Sequence, residues 1–485
     1  MKLTVKTEDL ILEVPKGTLL LDVLREQRLQ PDAPCGGMGR CGKCRVLVDG
    51  AERLACQTRV ETDMAVALSK QRGAQILTET MRVPVEPDGD TGYCLAFDLG
   101  TTTVAAYLMD TVSGKILAQT SCMNPQSQYG ADVISRVQYV LQGGGAEMSS
   151  CIRKALSELT QKTVQQAEIP IDEIGAACIV GNTAMHHLLL ELDPRPLTVP
   201  PYMPAVKEAL CLPASGILPL TSKSVVRILP NIAGFVGGDT VGCLLAARMD
   251  TADELTLLID IGTNGEIVLG DRRRRIACST AAGPAFEGAR IECGVRGIPG
   301  AIDHVTLQDG KPVFHTIDEE KAIGFCGSGL LDLIAVLLET NVIDGSGRMR
   351  DVFRVNDIYV TQKDVREVQL AKAAIRAGIE LLCRAMDVKI EDIQQVLLAG
   401  AFGNYLMPRS ACAIGMIPPA LCEKIRPVGN AAGEGARLAA LSSAEFERSK
   451  KLALETEFLE LASMSAFNDC YVDCLSFEGN QKLYQ

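Results

Sequence analysis

Four cysteines within a short glycine-rich stretch constrain this chain before anything else does. The stretch reads Cys35-Gly-Gly-Met-Gly-Arg-Cys41-Gly-Lys-Cys44, passes through a strand-like run and closes at Leu54-Ala55-Cys56, a C-x5-C-x2-C-x11-C spacing. Thiolates around a tight loop suit iron. Soft sulfur holds iron–sulfur clusters, and glycines let backbone N–H groups approach the sulfides. Four-cysteine zinc sites usually come as two C-x2-C knuckles, and only one is present here. A zinc site and incidental thiols stand as the alternatives.

The rest of the composition narrows the surroundings. At 485 residues the chain has room for about three domains. A formal charge of −12, no Trp and 4% aromatics argue against phosphate-backbone binding and base stacking, so no nucleic acid is expected. No apolar run is long enough for a membrane span. The opening Met-Lys-Leu-Thr-Val-Lys-Thr-Glu-Asp carries acids where a signal peptide would be apolar. A cytoplasmic location is therefore expected. Most of the 18 cysteines sit singly in apolar runs, as at Cys94, Cys178, Cys243, Cys278 and Cys383. That is the pattern of reduced, buried thiols, and it favours a strongly reducing, anaerobic cytosol.

Around the cysteines, residues 2–6 and 9–14 read as a first hairpin, and 19–28 as a short helix with Thr18 as N-cap. Residues 45–50 read as a strand ending in an Asp-Gly turn, and 56–68 close a small sheet. The cysteine spacing is one residue longer than the plant-type C-x4-C-x2-C. Order and spacing together resemble the adrenodoxin-like [2Fe–2S] ferredoxins and their β-grasp fold. The resemblance implies Cys35, Cys41, Cys44 and Cys56 as cluster ligands. A Pro/Gly/Asp-rich stretch, 82–92, reads as a short linker.

A second pattern starts at Tyr93. Cys94-Leu-Ala-Phe-Asp98 is a strand, Leu99-Gly100-Thr101-Thr102-Thr103 a turn, and 104–110 the next strand. About 160 residues later, Leu255 to Asp260, Ile261-Gly262-Thr263-Asn264-Gly265 and 266–269 repeat the sentence. A strand into a Gly-rich loop follows at Val396-Leu-Leu-Ala-Gly400-Ala401-Phe402-Gly403. Helices are expected at 132–141, 148–167, 183–192, 328–339, 364–386 and 430–442, and the tail from Glu455 gives no clear reading. A long-range duplication points to two equivalent α/β halves rather than a solenoid. The expected organisation is 1–81, linker 82–92, first lobe 93–254, second lobe 255–450 and tail 451–485.

An Asp at a strand end followed by Gly-Thr is a phosphate and Mg²⁺ site in physical terms. The glycine admits phosphate oxygens to the backbone, hydroxyls and N–H groups donate to them, and the carboxylate holds Mg²⁺ or its waters. The paired hairpins and the late Gly-rich turn resemble the superfamily of acetate and sugar kinases, heat-shock chaperones and actin. That resemblance implies a two-lobed, actin-like, ribonuclease H-like ATPase. Asp98, Gly100, Thr101 and Thr102 match its first phosphate loop, and Asp260, Gly262, Thr263 and Asn264 its second. Gly400, Ala401, Phe402 and Gly403 match its adenosine loop. Asp98 and Asp260 become the candidate catalytic and Mg²⁺-binding residues.

Five further strings narrow the field. Asn124-Pro125-Gln126, Tyr129-Gly130-Ala131-Asp132, Gly181-Asn182-Thr183-Ala184-Met185, Ala282 to Gly288 and Gly324-Phe325-Cys326-Gly327-Ser328-Gly329 resemble the reductive activators of corrinoid proteins. Gly327 and Ser328 join the candidate ATP-binding residues. The resemblance implies a [2Fe–2S] cluster, ATP and Mg²⁺ as cofactors. It implies one-electron reduction of the Co(II) corrinoid of a methyltransferase-system partner to Co(I), and a low-potential electron donor. It also admits a homodimer. Met38 and Arg40, beside the cluster loop, are placed to meet the partner. The other readings are a small-molecule kinase or ATP-dependent hydrolase with a redox-sensing ferredoxin, and an ATP-switched electron donor to another metalloenzyme. Longer members carry an extra linker domain where this chain has the short 82–92 stretch.

Three features have plainer readings. Cys326 reads as a packed helix-start residue rather than a nucleophile. His186-His187 read as a capped or solvated pair rather than metal ligands. Arg272–Arg275 read as a solvated turn, with a docking patch for an acidic partner as the alternative.

Overall fold

The computed structural model describes all residues except 8–9, 28, 30, 32–36, 38, 40–43, 69–81, 90–91, 131, 263 and 478–485. Cys35, Met38, Arg40, Cys41 and Thr263 therefore lie outside the described residues. Backbone proximity divides the chain into two units, 1–74 with 125–144, and 75–124 with 145–485.

In the first unit, β1 (Lys2–Val5) and β2 (Leu10–Glu13) form the expected antiparallel hairpin. Helix α1 (Leu20–Glu26) buries Leu20, Leu21, Val23 and Leu24. Thr18 is not its cap: its hydroxyl donates to the Pro15 carbonyl at 2.8 Å, and Leu19 starts the helix without a side-chain bond. Strands β3 (Arg45–Val48) and β4 (Ala51–Leu54) pair across Asp49 and Gly50, at φ 51° and 85°. Two left-handed residues are what a two-residue hairpin of type I′ demands. Strand β5 (Met64–Ala67) runs parallel to β1 and antiparallel to β3, giving the order β2-β1-β5-β3-β4. Leu3, Val5, Leu20, Leu24, Val46 and Val66 fill the core of this β-grasp sheet. The same unit holds helix α2 (Val133–Tyr139), capped by Asp132, and a π-helical turn over Val140–Gly144.

The second unit is built twice. β6 (Tyr93–Leu99), β7 (Thr103–Asp110) and β8 (Ile116–Met123) form an antiparallel meander. Helix α3 (Gly145–Ala167) leads to β9 (Ile174–Gly181), parallel to β6. Helix α4 (Thr183–Leu190), strands β10 (Leu210–Pro213) and β11 (Val225–Ile228) and helix α5 (Gly238–Ala246) complete the lobe. The sheet order is β10-β11-β9-β6-β7-β8.

The second lobe repeats the meander with β12 (Thr256–Ile261), β13 (Gly265–Gly270) and β14 (Arg275–Thr280). A small sheet of β15 (Ala301–Gln308), β16 (Lys311–Thr316) and β17 (Gly324–Phe325) precedes α6 (Gly327–Glu339). Hairpin β18 (Phe353–Val355) and β19 (Ile358–Val360) leads into α7 (Gln362–Met386), whose start is a Thr361–Asp364 capping box. Then come β20 (Gln395–Ala399), α8 (Gly400–Tyr405), α9 (Pro408–Ala413), β21 (Ile425–Gly429), α10 (Ala431–Leu441) and α11 (Ser443–Glu455). The tail forms β22 (Thr456–Phe458), parallel to β14 at the sheet edge, and α12 (Ser465–Asp473), packed on α7. The five strands β21-β20-β12-β13-β14 reproduce β11-β9-β6-β7-β8 of the first sheet, because β12 pairs antiparallel with β13 and parallel with β20 as β6 does with β7 and β9; the sixth strands, β10 and β22, lie at opposite edges.

Side-chain alternation positions the site. Successive strand residues face opposite sides of a sheet. Cys94 and Ala96 of β6, and Leu258 of β12, pack with Val241 and Leu244 of α5 and Ala432 and Ala436 of α10 in one core. Asp98 and Asp260 follow in the same parity, so both face the space where α5 and α10 lie against the two sheets. Leu257 and Ile259 face the other way, into a core with α6 and α7. Among the described residues no helix is long and apolar enough to cross a membrane.

Candidate functional site

Asp98 and Asp260 end their strands as expected, and they have company that sequence reading missed. Glu266 stands directly opposite Asp260 in the β12–β13 register, and Asp239 lies in the first turn of α5. Like charges directly opposite on a sheet repel. Burial pushes Asp98 up to about 7, with the Asp260 charge adding to the rise and the Asn430 hydrogen bond opposing it. Burial followed by the Asp260 charge brings Asp239 to about 7. Burial raises Asp260, and burial with the charges of Asp239 and Asp260 raises Glu266. Four carboxylates in one recess are a site that favours a cation.

The donor set is all oxygen, which suits a hard ion such as Mg²⁺. Among the described residues no three such side chains are arranged as a ready-made cage. Mg²⁺ commonly binds through one or two carboxylates, with phosphate and water filling the rest of the shell.

The first loop is braced from three directions. Asn124 Nδ2 donates to the Gly100 carbonyl at 2.8 Å, and the Asn124 N–H donates to the Thr102 carbonyl at 2.8 Å. Asn182, the N-cap of α4, donates to Thr101 Oγ1 at 2.9 Å. The Thr102 hydroxyl donates to Glu287 Oε2 at 2.9 Å. Three of the strings noted in the sequence thus converge on one turn. In the second loop the Gly262 N–H donates to the Asn264 carbonyl at 2.9 Å. Gly400 opens α8 at φ 84°, and a Cβ there would sit 2.6 Å from Asp260 Oδ1. Only glycine serves at that point.

Beyond Gly400, Phe402 stacks on Phe286 with ring centroids 5.0 Å apart and planes parallel. Gly327, at the start of α6, packs so closely that a Cβ would meet the Phe286 carbonyl and the Phe402 ring. Ser328 Oγ lies 3.3 Å from Cys326 Sγ, and both side chains are buried. These residues pack together where α6 and α8 begin. Cys326 is the buried N-cap residue of α6, a packed helix-start residue as expected, and burial raises its thiol.

In the other unit, Cys44 precedes β3 and Cys56 lies in the turn after β4. The hairpin pairing, with Ala55 N–H donating to the Cys44 carbonyl at 2.8 Å, folds the eleven-residue spacer back on itself and brings the two buried thiols to the same end. Gly37 and Gly39 adopt φ 93° and 72°, the left-handed backbone of a tight loop. These residues fit a cluster, and its other two sequence-assigned ligands lie outside the described residues.

A family model described as the 2Fe-2S iron-sulfur cluster binding domain matches residues 3–61, one described as the RACo middle region matches 93–252, and one described as the C-terminal, ASKHA domain of RACo matches 254–485. The chain is 32% identical to the "Corrinoid activation enzyme RamQ" of Eubacterium limosum, over 97% of this chain and 98% of that protein. The chain belongs to the RACo family. A solved structure titled "Reductive activator for corrinoid,iron-sulfur protein" matches with a TM-score of 0.72 and 28% identity, covering 98% of each chain. A "[Co(II) methylated amine-specific corrinoid protein] reductase" of Methanosarcina barkeri is 25% identical over 79% of this chain and 77% of its own length. The RamQ alignment spans 581 positions, more than the 485 residues here, so that RACo relative carries segments this chain lacks.

Two other sequence features fall outside this candidate site. Three of the four arginines at 272–275 have carboxylates of this same chain: Arg272 with Asp253, Arg274 with Glu457, and the buried Arg275 with Glu455. Arg272–Arg274 are exposed in the turn before β14, as the solvated-turn reading expects, while Arg275 is buried. His186 and His187 are buried rather than solvated: Asn231 Nδ2 meets His186 Nδ1, and His187 bridges the Thr183 carbonyl and the Ala205 N–H.

Proposed function

We propose that this chain is an ATP-dependent reductive activator. It passes one electron from a [2Fe–2S] cluster held by Cys35, Cys41, Cys44 and Cys56 to the inactive Co(II) corrinoid of a partner protein, leaving Co(I). A low-potential donor in a reducing cytosol then returns the electron. The observation that carries this reading is the joining, on one chain, of a cluster-loop unit to an acid-lined nucleotide cleft, along the full length of a relative named as a corrinoid activation enzyme.

Bound cluster and MgATP supply the one-electron transfer and the hydrolysable phosphoanhydride, and the chain does the rest. Asp98 and Asp260 hold Mg²⁺ or its waters, with Asp98 oriented by Asn430. Asp239 supplies a carboxylate of raised proton affinity beside them, suited to orienting a water. Gly100, Thr101, Thr102, Gly262, Thr263 and Asn264 present donors to phosphate. Gly327, Ser328, Gly400, Ala401, Phe402 and Gly403 receive the nucleoside.

The fusion has an energetic reason. Plant-type clusters sit near −400 mV, and each ~59 mV of deficit is a tenfold penalty for one electron. Reduction of Co(II) is expected to be uphill from such a cluster. Nucleotide assists by favouring one conformation of the complex, in proportion to its differential affinity. The test is anaerobic reduction of a purified corrinoid protein from the same source, followed by its visible spectrum with and without ATP. ATP-independent reduction at the same rate sinks the proposal.

A further inference from the structure

Residues 82–88, read from sequence as a linker, are strapped to α10. The Val83 N–H donates to Glu434 Oε1 at 2.7 Å, and the Arg82 guanidinium reaches Oε2 at 3.2 Å. Arg437 donates to the Val83 carbonyl at 2.7 Å and grips Glu434 through Nε and Nη2, at 2.9 and 2.7 Å. Further along, the Asp88 N–H donates to the Leu441 carbonyl at 3.0 Å, and the Asp88 carboxylate accepts from Ser443 N–H and Oγ. Arg248, just past α5, donates to the Pro84 carbonyl at 3.0 Å. Val83 and Val85 pack against the core that α5 and α10 share.

Those same helices carry the cleft at their starts, one turn before Glu434 on α10 and at the end of α5 opposite Arg248. Asn430 caps α10 and holds Asp98, and the first turn of α5 carries Asp239. The two helices meet backbone to backbone, since a Cβ on Gly435 would lie 2.2 Å from the Gly242 carbonyl. Close-packed elements without voids move as bodies rather than deform. A displacement of the helix starts by nucleotide therefore carries the strap with it. The strap in turn is continuous in sequence with the cluster-bearing part of the chain.

A buried Glu–Arg pair is weak evidence for stability by itself, because desolvation offsets its attraction. Glu434 has no exposed side-chain surface, and both its oxygens are shared: Oε1 accepts from the strap N–H of Val83 and from Arg437 Nη2, and Oε2 from Arg82 and from Arg437 Nε. That geometry fixes where the strap lies. We infer that Glu434 is a positioning residue for ATP-coupled electron transfer, fastening the strap 82–88 to the helix that holds Asp98. The inference rests on the function proposed above. A groove of about 760 Å³, lined by Arg82 to Val85, Ser113 to Gln119 and Arg437, leaves one side of the strap uncovered, so the strap is held by these bonds rather than by burial on all sides.

The experiment uses the full-length, cluster-loaded protein. Amide hydrogen exchange is followed at 83–88 with Mg²⁺ alone and with Mg²⁺ and a non-hydrolysable ATP analogue, beside ATP hydrolysis and cobalt reduction. In the wild type, nucleotide should change strap exchange at least threefold. Glu434→Gln should retain ATP hydrolysis within about twofold, exchange faster at Val83, lose the nucleotide response and slow ATP-driven cobalt reduction at least tenfold. Arg82→Ala, at the half-exposed end of the network, should shift both readouts the same way but less. Full coupled reduction by folded Glu434→Gln overturns the inference. Should that variant not fold, identical strap exchange in the wild type with and without nucleotide overturns it, and so does unaltered coupling in Arg82→Ala. A wild type that never reduces cobalt with ATP condemns the functional reading instead, while a nucleotide-responsive strap still supports the link to α10.

Discussion

Asn430 Nδ2 donates to Asp98 Oδ2 at 2.8 Å, joining the start of α10 to the end of β6 across 332 positions of sequence. The same amide lies 3.2 Å from the Tyr107 hydroxyl, and its oxygen accepts the Gly433 N–H. The bond favours ionised Asp98 and opposes the burial that pushes it up, the balance standing at about 7. Asn430→Ala should raise that value further, so the acid limb of the ATP hydrolysis profile should move to higher pH. At pH 7 the rate should fall by about 10- to 100-fold, the equivalent of one hydrogen bond to a charged group at ~1.5–3 kcal/mol. Steady-state ATPase rates across pH check both.

The carboxylate cluster should make stability depend on pH and Mg²⁺ together. Asp98 and Asp239 rise from 3.8 to about 7 in the folded chain. Between those values the folded state binds more protons than the unfolded one, so stability falls as pH rises through the window. A cation that pairs with the ionised form should reverse the loss. The gain in Tm on adding Mg²⁺ should be larger at about pH 8 than at about pH 5.5, and Asp239→Asn should shrink the difference. Differential scanning calorimetry reads this directly.

Removing the cleft carboxylates should stop hydrolysis without harming the cluster. Asp98→Ala and Asp260→Ala should each depress the ATPase rate by two or more orders of magnitude, since each removes charge that positions Mg²⁺ or water. Gly400→Ala should do similar damage by another route, a Cβ at φ 84° placed 2.6 Å from Asp260 Oδ1. Unchanged rates in both Asp variants would mean the cleft is misassigned.

The cluster should be separable from the cleft. Cys41→Ser and Cys56→Ser should lose or destabilise the cluster, seen as loss of the visible [2Fe–2S] bands and of the S = 1/2 signal after reduction, with ATP hydrolysis retained. Zinc without iron after anaerobic reconstitution would contradict the ligand assignment.

Much of this was legible in the sequence, because strong local signals and tertiary structure agree there. The Asp49-Gly50 turn, the Asp98 and Asp260 strand ends and the long helix 362–386 are written in turn chemistry and hydrophobic period. Thr18 misled because its hydroxyl found the Pro15 carbonyl instead of a helix N–H. Asp239 escaped because α5 is nine residues and apolar on nearly every side, so no period announced it. The Gly237-Gly238-Asp239-Thr240 string before an apolar run was the available signal. Glu266 became a cleft residue only through strand register, and Glu434 through a contact 351 positions away. Such partners are fixed by tertiary pairing and leave no trace in a local pattern.

The most direct measurement is the Co(II) to Co(I) conversion of a cognate corrinoid protein, followed anaerobically with Mg²⁺ and a low-potential donor, for wild type, Cys41→Ser and Asp260→Ala. The expected result is ATP-dependent conversion by the wild type alone, with Cys41→Ser hydrolysing ATP but reducing no cobalt, and Asp260→Ala keeping a reducible cluster that cannot drive the step. Conversion at the same rate without ATP, or by either variant, would contradict it.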